Sequence, residues 1–284
     1  ADCVINENTA QLRSFDASAY TGTLTASSSS MTLLIGPNTS GTFNVRLGGT
    51  WNFTGVLEIY AGHTSAVVNL TSNGKQPLYL YCRATGSGKT VLQDNLTFGD
   101  NVDVYLKLGT TGTPVDMNGK TVSGLNATTA RLLWQSATMG TQGTVLVNGG
   151  TFANADFMDI GFNNGGSNLD LSAITGLSGD CGGNSMVGRG TLTFTSPTTQ
   201  TWDGTTGNWS DASKWTSRMP LPQDDVVLAG TNTCTLNVPR AGRSISFSGA
   251  CKWTFAINHN IYGSLDLTNA GTVTYGYRST TFAG

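Results

Sequence analysis

Hydrophobic residues along this chain recur at every second position in short runs, and each run stops at glycine, asparagine or aspartate. "TFNVRL" puts Phe43, Val45 and Leu47 on one side of an extended strand, and "VDVYLKL" does the same with Val102, Val104, Leu106 and Leu108. "SLDLT" and "TVTY" repeat the pattern toward the end. A period of two marks a strand with one buried face. The residues that interrupt it are those that tolerate the dihedrals of tight turns. No long window carries apolar residues at i, i+3, i+4 and i+7. The pattern therefore predicts an all-β chain of many short strands.

The runs also resemble one another. "GTFNVRLGGTWNF" from Gly41, "GTVLVNGGTF" from Gly143 and "GSLDLTNAGTVTY" from Gly263 share glycine, a hydroxyl residue, an alternating strand, a glycine-containing turn, threonine and a second strand. Such self-similarity is what stacked coils leave behind, each burying its inward face on its neighbours. The expected architecture is a short-strand β-solenoid. Because the spacing is irregular, a β-sandwich portion stays open beside it. Asn-Gly in "DMNGK" and "VNGG" and Gly-Asp in "FGDN" fit the turns of either arrangement. Composition shifts at "FTSPTTQ", residues 194–200, where a tryptophan- and proline-rich segment begins. Two units are expected, 1–199 and 200–284.

The second unit opens with Trp202-Asp203-Gly204, Gly207-Asn208-Trp209-Ser210, Lys214-Trp215 and Pro220-Leu221-Pro222-Gln223-Asp224-Asp225-Val226. This W-x-G-x-x-G-x-W, W, P-x-x-D-x-V series resembles the entry to β-solenoid regions of phage tail fibres and bacterial surface proteins, over residues 200–275. The resemblance implies that Trp202, Trp209 and Trp215 cap a solenoid end. It also implies that Asp203, Asp224 and Asp225 hold turns through backbone hydrogen bonds. The competing reading makes the three tryptophans a sugar-stacking platform, since aromatic faces pack on pyranose rings.

Composition narrows the setting. Only 11% of the 284 residues are charged, 37 are glycine, and the formal net charge is -2. Solubility therefore rests on hydroxyls and amides, a composition expected of extracellular and virion proteins. No run of like charge could track a phosphate backbone or an anionic membrane, so nucleic acid is not an expected partner. No apolar stretch approaches the roughly 20 residues needed to span a bilayer as a helix. "ADCVINENTAQL" lacks the basic and apolar regions of a leader, so either one has been removed or none was needed. Cys3, Cys82, Cys181, Cys234 and Cys251 are too scattered for a disulfide framework or a zinc site. They admit one bridge, Cys234 to Cys251, or reduced thiols. No cofactor and no metal are expected.

Four further motifs carry competing readings. "GDCGG" around Cys181 resembles the nucleophile loop of viral chymotrypsin-like cysteine proteases, which implies Cys181 as nucleophile and His63 as base. Asp94, Asp100 or Asp103 would orient that histidine. A solenoid opposes this, because coils of roughly 20 to 30 residues hold His63 and Cys181 several rungs apart. "RATGSGKT", residues 83–90, lacks both the first glycine of a phosphate loop and the helix that should follow it. Asp156 and Asp159 could be the two carboxylates of a glycan-cleaving tailspike, or could hold local turns. Asn38, Asn52, Asn69, Asn95, Asn126 and Asn208 begin N-x-[ST] sequons, which a chain this rich in Asn, Ser and Thr accumulates by chance.

These readings converge on a non-enzymatic, receptor-binding fibre protein of a virion, a phage tail fibre or tail-associated subunit. It would form a rigid rod, with a trimer the favoured homo-oligomer, alongside other virion proteins and a cell-surface glycan as partners. No membrane insertion is expected, and the protein should reside at a virion surface or extracellularly. The alternatives are a secreted bacterial adhesin, a glycan-cleaving tailspike, and a cysteine protease built on Cys181 and His63.

Overall fold

The computed structural model describes residues 3–5, 9–26 and 30–283. Among them no α-helix forms, and the single helical turn is a short 3-10 segment at Ala212–Lys214. Every ladder between strands is parallel, as coil stacking requires, whereas sandwich sheets pair antiparallel.

The first unit is a parallel β-solenoid. Its first sheet stacks Thr9–Leu12, Thr32–Ile35, Val56–Ala61, Tyr79–Ala84, Tyr105–Leu108, Leu132–Ser136, Thr151–Met158 and Thr175–Asp180. Its second sheet stacks Phe15–Asp16, Gly41–Arg46, Ala66–Thr71, Lys89–Leu92, Val115–Asp116, Gly143–Leu146, Ile160–Asn163 and Ser185–Met186. Each coil gives one strand to each sheet. Short third-side strands such as Leu96–Thr97 and Thr121–Ser123 close the section. Strand Thr151–Met158 serves two sides, turning from the third to the first at Asn154, whose φ is 46°.

The register explains why the alternation matters. Leu57 lies opposite Leu80, Leu80 opposite Leu106, Leu106 opposite Trp134 and Trp134 opposite Phe157. Each step advances the chain by about 25 residues, an ordinary length for a solenoid repeat. All of these side chains are buried, so the inward positions of successive coils form one column. The second sheet supplies a facing column of Val68, Thr90, Val115, Val145 and Phe162. The columns meet where Phe157 and Phe162 pack edge to face at 5.3 Å. Burying each such side chain contributes about 1.5–3 kcal/mol, and a one-residue slip would turn a whole strand inside out. The Asn-Gly turns hold coil spacing directly. Asn73 and Asn118 adopt positive φ, and their side-chain amides donate to the carbonyls of Leu47 and Leu92 one coil earlier.

The second unit repeats the plan on a shorter coil. Val226 pairs with Ile245, Cys234 with Trp253 and Asn260 with Thr281. These steps are about 20 residues long, at the short end of solenoid repeats. The unit has its own core, running from Trp202 to Ile261. Its first strand, Thr199–Thr201, pairs with Asp225–Leu228 and not with the last first-sheet strand of the N-terminal solenoid.

The two units meet through side chains. Asp156 points outward from the first sheet yet is fully buried, because Arg240 of the second unit covers it. Asp156 also binds Arg131 Nε at 2.9 Å, and Arg240 Nη2 donates to the Arg131 carbonyl at 2.8 Å. Gln223 adds a clamp, accepting from the Asp180 amide at 2.9 Å and donating to the Thr195 carbonyl at 3.0 Å.

Candidate functional site

The three tryptophans form a closed knot. Trp202 and Trp209 are at most 1% exposed and Trp215 6%. Trp215 packs edge-on against both, with ring centroids 5.0 and 4.7 Å away, and an antiparallel bridge joins Trp202 to Trp215. The Trp202 indole N–H donates to the Thr205 carbonyl and that of Trp215 to the Trp209 carbonyl, each at 2.8 Å. Stacking on a pyranose needs an open ring face, and burial leaves these rings none. The competing sugar-platform reading of Trp202, Trp209 and Trp215 therefore has no ring face to rest on: the three are buried in the core, as the structural reading expected.

The aspartates of the same segment serve turns and ion pairs. Asp203 accepts from the Thr205 amide and hydroxyl. Asp224, fully buried, accepts from the amides of Thr198 and Leu221 and pairs with Arg218. Asp225 takes a two-pronged contact from Arg243 at 3.0 and 2.6 Å.

The coil geometry separates the proposed protease pair. His63 follows strand Val56–Ala61 and Cys181 follows Thr175–Asp180, five ladder steps away in the same sheet. At about 4.8 Å per step that is roughly 24 Å. His63 is held by its own turn through Ser65. Cys181 is a buried junction thiol facing Tyr262 and Asp156, and burial raises its pKa far above the ordinary thiol value, the opposite of what a nucleophile needs. The Asp180 carboxylate accepts from the Gly182 amide and from Asn184, so the glycines of "GDCGG" shape a turn. The separation is that expected of stacked coils, and it leaves the alternative Cys181/His63 pairing without a base in reach.

The carboxylate pair fares likewise. Asp156 is locked between two arginines, and Asp159, with φ of 56°, accepts from the Gly140 amide at 2.8 Å in a buried turn. Asp156 has no exposed face, and Asp159 holds its turn, as the local-turn reading expected. "RATGSGKT" connects strand Tyr79–Ala84 to strand Lys89–Leu92 with no helix, and Lys89 Nζ binds Asp116 at 2.7 Å. Cys82, Cys181, Cys234 and Cys251 are free and buried, so the admitted Cys234–Cys251 bridge is absent; the Cys3 side chain lies outside the described part. Burial pushes the Cys82 thiol up to about 12.

A different cluster emerges on the outer side of the first sheet. Alternation that sends Leu57, Leu80 and Leu106 inward sends Glu58, Tyr60, Tyr79, Tyr81, Arg83, Tyr105 and Lys107 outward, on three adjacent strands. Register places Tyr79 beside Tyr105, Tyr81 between Glu58 and Lys107, and Arg83 beside Tyr60. The Arg83 guanidinium lies 4.6 Å from the Tyr60 ring centroid and 5.7 Å from that of Tyr81, while pairing with Glu58 at 2.9 Å. Lys107 Nζ lies 5.2 Å from the Tyr105 centroid and 5.8 Å from that of Tyr81. The Tyr79 and Tyr105 rings pack at a tilt of 33°, with centroids 4.9 Å apart. Burial raises the pKa of Tyr79, Tyr81 and Tyr105 above the ordinary tyrosine value. At the ends of these strands lies a groove of about 430 Å³ lined by Tyr60, Tyr81, Arg83, Thr85, Thr110 and Thr138 among others.

Attention to apolar alternation alone passes over this face, because its signal is the outward set. In "LEIY", "YLYCR" and "YLKL" the outward positions beside the core residues hold tyrosines, Arg83, Lys107 and Glu58 in place of the usual small polar residues. Comparison with protein-family models, with curated proteins and with solved structures found no match for the chain.

Proposed function

We propose that this chain is a fibre or tail-associated subunit of a virion, a rigid β-solenoid that presents its outer face and turns to a host surface. The observation that carries the reading is the run of parallel strands in the first sheet, whose coils share one hydrophobic column. A structure of this kind resists bending, because displacing any coil breaks ladder hydrogen bonds and column packing on both sides at once. Low charge and abundant surface hydroxyls and amides suit an exposed particle component. The first sheet spans seven ladder steps, roughly 34 Å. A fibre would therefore assemble this chain with further copies or neighbouring proteins, a homotrimer being the favoured arrangement. Electron microscopy of the native particle labelled with an antibody to this chain tests the reading. Label along tail-associated projections is the expected result. Absence from purified particles, with the chain found instead on a bacterial surface, would transfer the same rod to an adhesin.

A further inference from the structure

We propose that the outer side of the first sheet, around Tyr60, Tyr81, Arg83, Tyr105 and Lys107, is a binding site for an acidic saccharide, a pyranose chain carrying carboxylates. The proposal names the ligand of the host-facing rod and rests on that reading for the ligand's biological source only. Outward tyrosine and cation pairs also stabilise cross-strand packing, each by roughly 0.2–1 kcal/mol. Three features exceed what packing needs.

The first is charge. Arg83 is balanced by Glu58, but Lys107 pairs with no carboxylate among the described residues. It is instead held over two tyrosine rings, which fixes its position without neutralising it. A cation kept in place and unpaired favours an anionic group, and a carboxylate would gain a charge-assisted hydrogen bond there. The excess is a single charge on a chain of net -2, too little for a phosphate backbone.

The second is the mixture of surfaces. Tyr60, Tyr81 and Tyr105 are each partly exposed. Their rings offer apolar area to the C–H faces of a sugar and their hydroxyls offer hydrogen bonds to its edges. The third is shape. The groove beside them carries the hydroxyls of Thr85, Thr110 and Thr138 along successive coils. Coils repeat at about 4.8 Å, close to the length of one linked pyranose, so equivalent contacts recur along a sugar chain.

The test is an array of defined uronate- and sialate-containing oligosaccharides printed beside the same oligosaccharides after reduction of their carboxyl groups, probed with the full chain. Acidic forms should be retained and reduced forms held at least tenfold more weakly, with Lys107→Ala losing roughly tenfold, the worth of one charge-assisted contact. Lys107→Arg, which keeps the cation, should restore retention, and the far-ultraviolet spectrum of each variant checks its fold. No retention of any acidic form, equal retention of reduced forms, or an unaffected Lys107→Ala overturns the proposal. So does a Lys107→Ala or Tyr81→Ala variant that only changes the mass in solution, since the face would then join copies of this chain. Particle labelling without saccharide retention removes this site and leaves the fibre; retention without particle labelling does the reverse.

Discussion

In the N-terminal solenoid the column beneath the first sheet is filled largely by aliphatic residues, from Leu33 through Leu57, Leu80 and Leu106, and turns aromatic only at Trp134 and Phe157. In the C-terminal unit the core is tryptophan from its start: Trp202, Trp209 and Trp215 lead into Trp253, which stacks with Trp209 at 6.2 Å and packs edge-on against Phe255 at 4.5 Å. The difference follows the size and number of the coils. The longer N-terminal coils, which carry Leu57 to Leu80 and Leu80 to Leu106, form a long stack in which an interior coil has a neighbour above and below. Leucines there are buried on one another. The C-terminal unit has few coils, and shorter ones, as the steps from Val226 to Ile245 and from Cys234 to Trp253 show, so a larger share of its core lies next to an end. Large rings supply there the buried area that further coils would otherwise provide. One region distributes its stability along a ladder and the other concentrates it in a knot.

The strongest way to break this comparison is to cut the joint. Asp156→Ala leaves the Arg131 and Arg240 guanidiniums buried without their carboxylate. Removing one member of a buried ion pair costs about 3–5 kcal/mol, and with two cations orphaned the loss should fall at the upper end. Thermal unfolding should change from one transition to two as the units part. A single, unshifted transition would show that the contact through Gln223 suffices.

Trp209→Ala tests the knot itself. A buried Trp→Ala change costs about 3–5 kcal/mol, and the loss should centre on the C-terminal unit because Trp209 belongs to that unit's buried cluster. Hydrogen exchange should rise across strands Asp225–Leu228 and Thr233–Leu236 while Tyr79–Ala84 stays protected. Equal loss of protection in both units would mean that they fold as one body, and the comparison would fail.

Most of the fold was legible because alternation, glycine turns and coil self-similarity are local signals. Phe43, Val45 and Leu47 announce their strand without reference to the rest of the chain. The W-x-G-x-x-G-x-W segment marked where a new core begins. What stayed hidden depends on distant residues: Asp156 meets Arg240 across 84 positions, and no local pattern reveals that an outward aspartate will be covered. The candidate site was mislaid for a related reason. Tryptophan suggests sugar stacking by type, yet exposure decides, and exposure belongs to the tyrosines whose outward direction is fixed by the leucines between them.

The smallest expected effect is a pH dependence carried by the C-terminal unit. His259 is buried against Trp253 and Phe255, with ring centroids 5.9 and 4.3 Å away, and its Nε2 meets the Thr280 hydroxyl at 3.0 Å. Its Nδ1 lies 3.4 Å from the Ile257 carbonyl, which can only accept, so Nδ1 carries the proton and Nε2 accepts from Thr280. Desolvation lowers its pKa below the ordinary 6.5. The unfolded chain then binds more protons than the folded one between the two values, so stability is full above about 6.5 and declines as pH falls below it. N-terminal strands contain no counterpart, since His63 sits in an exposed turn. Chemical denaturation followed by tryptophan fluorescence, which reports mainly on the knot, should therefore show a falling midpoint from pH 7 to pH 5. His259→Gln should flatten that slope. An equal slope in the variant would show that His259 does not carry the pH dependence and would remove this distinction between the two units.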